Sequence, residues 1–111
     1  MHELSLCRSI VAISARHAHG RQVVSVRVRI GHLRQVVPDT LVRCFELLAP
    51  AEGLGGAVLE IVEVPAQVRC NTCGAITVLE RFELRCGSCA GSDLEVIAGE
   101  ELLVESLEVE D

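Results

Sequence analysis

The sequence predicts a small α/β domain of the α+β kind: a mixed sheet with two helices, plus an inserted zinc ribbon. Three observations predict it. Helical and strand periodicities follow one another as helix, strand, helix and strand, and a further strand closes the chain. Two C-x2-C pairs interrupt that pattern before the last strand. Half of the 111 residues are apolar, yet the aromatics are just Phe45 and Phe82, so the core must be built from Leu, Val, Ile and Ala. A chain of this length buries only roughly two-thirds of its unfolded surface. Metal binding is then a natural supplement to its stability.

The first helix is expected over residues 4–16. Leu6, Ile10 and Ile13 share one face, and Leu4, Cys7 and Val11 widen it. Gly20 is a stop signal, with Arg16, His17 and His19 near the negative end of the helix dipole. Val24, Val26, Val28 and Ile30 then alternate with Ser25, Arg27 and Arg29, which is the pattern of a half-buried strand. Pro38 suits the first turn of a second helix, in which Leu41, Phe45 and Leu48 form the apolar stripe to about Ala49. Pro50, Gly53, Gly55 and Gly56 make a loop. Val58 to Val64 is β-branched and reads as the second strand, closed by Pro65. Residues 101–110 form the last strand, with Leu107 and Val109 alternating with Glu108 and Glu110. The expected organisation is an α/β domain of residues 1–66 and 93–111, with a zinc ribbon inserted at 67–92.

Cys70-Asn-Thr-Cys73 and Cys86-Gly-Ser-Cys89 are separated by twelve residues. Zinc takes four ligands in a tetrahedron, and thiolates suit it. Each C-x2-C turn can aim two sulfurs at one ion, and Gly74 supplies the positive φ such a turn needs. The segment between the pairs can form a hairpin, with Ile76 and Val78 on one arm and Phe82 and Leu84 on the other. A redox C-x-x-C needs a helix starting inside the motif, and the strand-like residues after Cys73 do not provide one. Four protein ligands close the site, so the zinc is expected to be structural. Cys7 and Cys44 lie on the apolar stripes of the helices and read as small buried hydrophobes.

The net charge is −6, and its distribution is uneven: residues 1–50 carry +4 and residues 51–111 carry −10, with no lysine anywhere. An acidic chain is a poor partner for phosphate backbones, so no nucleic acid is expected. Instead, basic strands should lie beside acidic ones, with Arg27 and Arg29 facing Glu105 or Glu108. No apolar run reaches the ~18 residues of a membrane span. Glu3 stands where a signal peptide would carry positive charge. A cytoplasmic, reducing location is therefore expected, and there paired cysteines hold metal rather than form disulfides. The glycines at 53, 55 and 56 are not followed by Gly-Lys-Ser/Thr, so no phosphate loop is present. No Ser-His-Asp set or carboxylate pair is legible, and the chain is not expected to be an enzyme.

Met1-His2-Glu3 opens the chain. A free terminal amine, the amide nitrogen of residue 2 and the imidazole of residue 2 can chelate one metal together. Nitrogen donors in a plane suit Ni(II) or Cu(II) rather than zinc. The plainer alternative is the solvated first turn of a helix, where Glu3 also suits the dipole.

Met1-His2-Glu3-Leu4-Ser5, the strand ending Ile30-Gly31, the Pro38–Glu46 helix with its Cys-Phe-Glu, the paired C-x2-C and the closing Ser106-Leu107-Glu108-Val109 occur in one order. This arrangement resembles the HypA/HybF family, the nickel metallochaperones of [NiFe]-hydrogenase maturation, over essentially the whole chain. The resemblance implies nickel at the amine of Met1, the imidazole and amide of His2 and the backbone amide of Glu3. It implies zinc on Cys70, Cys73, Cys86 and Cys89. It further implies a HypB-type GTPase and the hydrogenase large subunit as partners, and in some organisms a supply to urease. The family usually has Pro after the third cysteine and Gly after the fourth. Here Gly87 and Ala90 stand there, and the lost glycine should strain the second turn by about 1 kcal/mol. His17, His19 and His32 read as surface histidines, with a further metal contact as the alternative. A zinc-ribbon protein-interaction module without a nickel role is the competing reading of the whole.

Overall fold

The computed structural model describes residues 3–80 and 83–110. Two helices and two three-stranded sheets make up an elongated molecule of 52 × 24 × 15 Å. The first helix, α1, spans Glu3–Ala18, and α2 spans Pro38–Leu48. The strands are β1 (Val23–Gly31), β2 (Val58–Val64), β3 (Ala66–Cys70), β4 (Ile76–Leu79), β5 (Leu94–Ala98) and β6 (Leu102–Val109). The first sheet has the order β2-β1-β6, with β2 parallel to β1 and β6 antiparallel to it. The parallel pair needs a crossover, and α2 supplies it.

Both helices cover one face of this sheet. The core brings Leu6, Cys7, Ile10 and Val11 of α1 and Leu41 and Phe45 of α2 onto Val23, Val26, Val28 and Ile30 of β1. Phe45 is fully buried, the one described aromatic in a core otherwise aliphatic. The stripe of α1 is rotated from the expected one. Leu4 is exposed and Ser14 is buried; the Ser14 hydroxyl donates to the Ile10 carbonyl at 2.7 Å and so needs no other partner. Pro38 begins α2 as expected, and Val37 before it is extended. Val24 is not an inward residue. The β1–β6 register slips between Val23 and Ser25, so Val23 takes the buried place and Val24 faces outward.

The outer face of the sheet is ionic. Arg27 meets Glu60 of β2 at 3.2 Å, and Arg29 meets Glu105 of β6 at 3.4 Å. The basic first half thus pairs with the acidic second half across β1; Arg29 finds the expected Glu105, whereas Arg27 turns to Glu60 of the parallel strand and Glu108 accepts from the Ser25 hydroxyl instead.

The second sheet has the order β4-β3-β5, both pairs antiparallel. The expected hairpin between Ile76–Val78 and residues 82–84 is not what pairs with β4. The ladder partner of β4 is β3, and residues 83–86 lie in no strand. Phe82 falls outside the described residues. Residues 83–85 lead without a strand to Cys86, whose Sγ lies 3.5 Å from Cys73 Sγ. Ala66, Val68 and Leu79 form a small second core, to which Leu33 and Leu94 add.

The two sheets meet at a junction with no room for a side chain. A Cβ on Gly31 would sit 1.9 Å from the Gly99 carbonyl oxygen. A Cβ on Gly99, whose φ is +107°, would sit 2.6 Å from Cα of Ala66. The Leu33 N–H donates to the Gly99 carbonyl at 2.9 Å, and Gly31 N–H to the Glu101 carbonyl at 2.8 Å.

Candidate metal centre

The four cysteines come from two turns of the same build. Cys70 ends β3. Its N–H donates to the Ala75 carbonyl at 2.9 Å, and its carbonyl accepts from Gly74 N–H at 2.8 Å. In the second turn, Cys86 N–H donates to the Gly91 carbonyl at 2.9 Å, and the Cys86 carbonyl accepts from Ala90 N–H at 2.9 Å. The fifth residue of each turn takes positive φ, +78° at Gly74 and +61° at Ala90. Glycine adopts this conformation freely, whereas alanine carries a strain of about 1 kcal/mol.

The repetition brings four sulfurs together, all within 4.8 Å of one another. Cys70 Sγ lies 3.6 Å from Cys89 Sγ, and Cys73 Sγ lies 3.5 Å from Cys86 Sγ. A tetrahedron of thiolates around zinc, with bonds of about 2.3 Å, has edges of about 3.8 Å. A disulfide would need about 2.05 Å. The spacing therefore fits an ion shared by four thiolates and not a pair of disulfides. Cys70 and Cys86 are buried, while Cys73 and Cys89 are exposed.

Backbone N–H groups favour thiolate at all four sulfurs, and the net shift is downward at two of them. The N–H groups of Cys89 and Ser88 point at Cys86 Sγ, each at 3.4 Å, and hold this thiol down to about 6. Cys70 is lowered too, chiefly by the Cys73 N–H at 3.5 Å. At Cys73 the N–H of Ala75 is the largest single influence and lowers the thiol, but hydrogen bonding with the Cys86, Cys70 and Cys89 side chains, together with burial, outweighs it and pushes Cys73 up to about 11. Cys89 is raised as well: the Gly91 N–H opposes the rise, and the Cys70 and Cys86 side chains drive it. Each close pair thus sets one lowered thiol against one raised thiol, and two negative sulfurs this close would repel. A dication removes that repulsion and suits all four.

Two details of this centre are not readable from cysteine spacing. Gly87 N–H donates to Thr77 Oγ1 at 3.0 Å, fastening the second turn to β4. A proline at 87 has no such proton to give. Asn71 N–H donates to the Asp93 carbonyl at 2.9 Å, and its side-chain amide to Asp93 Oδ1 at 3.1 Å, fastening the first turn to the approach to β5.

The other candidate residues lie apart from this centre. Met1 and His2 fall outside the described residues, and Glu3 is the first residue of α1. His17 is exposed on the last turn of α1, and His19 is exposed just beyond it at φ +52°. His32 lies 3.7 Å from Glu63 at the junction of the sheets. Cys7 is buried, and burial followed by the neighbouring Cys44 pushes its thiol up to about 11. It behaves as a core residue. Among the described residues no helix is long and apolar enough to cross a membrane.

Residues 1–109 match the family model described as "Hydrogenase/urease nickel incorporation, metallochaperone, hypA". The hydrogenase maturation factor HypA of a Nostoc species is 41% identical over 111 residues, covering 100% of this chain and 97% of that protein. The corresponding factor of Geotalea uraniireducens is 43% identical over 110 residues, covering 99% and 100%. A solution structure of the nickel metallochaperone HypA from Helicobacter pylori shares the fold with a TM-score of 0.68 at 24% identity, covering 98% of this chain and 97% of that one. A second solution structure of a HypA protein aligns with a TM-score of 0.68 at 26% identity, covering 98% and 96%. With its four-thiol centre, its two helices on a mixed sheet and this full-length likeness, the chain belongs to the HypA family of hydrogenase and urease nickel-incorporation metallochaperones.

Proposed function

We propose that this chain carries Ni(II) at its N-terminus and delivers it for [NiFe]-hydrogenase maturation. In this reading the Met1 amine, the His2 imidazole and amide and the Glu3 amide hold nickel, and zinc stays on Cys70, Cys73, Cys86 and Cys89. The observation that carries the reading is the family match, which begins at residue 1 and so includes the Met-His-Glu triad. The chemistry supports it. Delivery needs a site that releases its ion, and a chelate of nitrogen donors at a chain end is open to exchange. A closed four-thiolate site is suited to a resident ion. Nickel is cargo here, and zinc is structural. No catalysis is assigned to the chain, which acts in the cytoplasm with a HypB-type GTPase and passes nickel to the hydrogenase large subunit.

The test is metal analysis of untagged protein offered Zn(II) and Ni(II) together. One of each per chain is the expected result. Zinc without nickel would overturn the reading in favour of a zinc-ribbon interaction module.

A further inference from the structure

The first sheet ends at β6, whose outer edge is unpaired among the described residues. That edge is eight residues long, about 26 Å of extended chain. Beside it runs an open groove between β6 and α1. The upper part, a cleft of about 230 Å³, lies between Ser5, Ser9 and Ile13 on the helix and Leu102, Leu103 and Val104 on the strand. The lower part, about 320 Å³, shares Ile13 and Val104 and continues past His17 to Leu107. Ser5, Ser9, Ile13 and His17 are each four residues apart, so one stripe of the helix faces the groove along its length. Two features thus coincide: a strand edge with free backbone donors and acceptors, and a trough, apolar in its upper part and bordered by His17, Glu105 and Ser106 in its lower part, able to take side chains from whatever pairs with it.

Charge selects the occupant. Glu105 and Glu108 stand on the face of β6 turned away from the helices, where they meet Arg29 and Ser25. Glu101 and Glu110 flank the strand, and Arg27 is engaged with Glu60 of β2. A second copy adding its own β6 would set these carboxylates against each other. A strand bearing positive charge on that face meets the opposite sign.

We propose that the groove and the β6 edge take up an extended segment of a partner protein as a fourth strand. Its alternate apolar residues enter the groove, and its arginine or lysine residues face Glu105 and Glu108. Ser5 is two residues from Glu3, so such a strand passes the N-terminal end of α1. A role in bringing the recipient to the nickel rests on the preceding reading, whereas the binding itself does not.

The experiment titrates the zinc-loaded, isotope-labelled full chain with a blocked octapeptide alternating valine and arginine, read by amide shifts and hydrogen exchange. Saturable binding is expected, with perturbation and slowed exchange along Leu102–Val109 and at Ser5, Ser9 and Ile13, and none along β4. Ser9→Trp fills the groove from an exposed helix position, and Ser5→Phe is the independent second variant. Each should weaken binding at least ten-fold while thermal stability and zinc content stay unchanged. A valine–glutamate octapeptide should not bind. Equal binding of both peptides, unchanged affinity in the two variants, or perturbation confined to β4 would overturn the proposal. So would self-association of the chain that Ser9→Trp abolishes, since the groove would then belong to a second copy.

Discussion

Ala90 holds φ +61° in a turn whose twin, Gly74, holds +78°. The twin is legible in the sequence as a glycine after a C-x2-C, and the cost of the alanine follows from the same rule. Ala90→Gly is therefore expected to stabilise the zinc-loaded chain by about 1 kcal/mol, raising Tm by several degrees in calorimetry. A lower Tm would mean that the alanine methyl group contributes more than its backbone costs. The four thiols, alike in sequence, differ in the folded chain because the backbone N–H groups and the neighbouring thiols that reach them act differently on each. Cys86, held to about 6, is ionised at pH 7.5, while Cys73, near 11, keeps its proton and Cys89 is raised. Cys70 is lowered too, chiefly by the Cys73 N–H. Zinc binding at pH 7.5 should then release fewer than four protons. Calorimetry in buffers of different ionisation enthalpy counts them. Because lowered thiols lose their ionised form only as pH falls through the folded value, proton release should climb towards four below about pH 6. Four protons at pH 7.5 would show that the N–H groups do not act on the sulfurs. The Thr77–Gly87 bond was illegible for a simple reason: ten residues separate the partners, and nothing in either residue type announces the pairing.

α1, β1, α2 and β6 were readable because each has several apolar residues at a fixed period, and β2 because it is rich in β-branched residues and closed by Pro65. β3 and β5 were not. β3 is five residues between Pro65 and the first metal turn, too short for a period to show. In β5, Leu-Glu-Val-Ile-Ala breaks its own alternation, because the register with β3 slips between Gln67 and Val68. The pairing also joins segments far apart in sequence, which no local pattern encodes. The same holds for the junction, where Gly31 and Gly99 matter through each other. Sequence reading gave Gly31 the role of ending a strand; its closeness to Gly99 is the stronger constraint. Gly99→Ala is expected to cost about 3 kcal/mol or more in denaturant unfolding, since the Cβ meets backbone and φ is +107°. Gly20→Ala, with positive φ but nothing within 4 Å, should cost about 1 kcal/mol. Equal costs at the two positions would mean that the sheets can shift apart at no expense.

The whole molecule is two sheets joined at one tight contact, with opposite charge brought together across β1 and a thiol centre on the second sheet. The charge split and the C-x2-C pairs made the first sheet's pairing and the four-sulfur cluster legible in outline. The candidate nickel donors rest on the sequence and the family, since Met1 and His2 fall outside the described residues. In the proposed function two metals are sorted by ligand chemistry, zinc to thiolates and nickel to the nitrogens of the first three residues. The amine of Met1 is the donor most easily removed without touching a side chain. Calorimetric titration of Ni(II) into zinc-loaded protein, with and without two extra residues before Met1, tests that claim most directly. The native chain should bind one nickel tightly, and the extended chain should lose this binding while keeping one zinc and an unchanged Tm. Equal nickel affinity in the two chains would contradict the account and move the site to His17, His19 or His32.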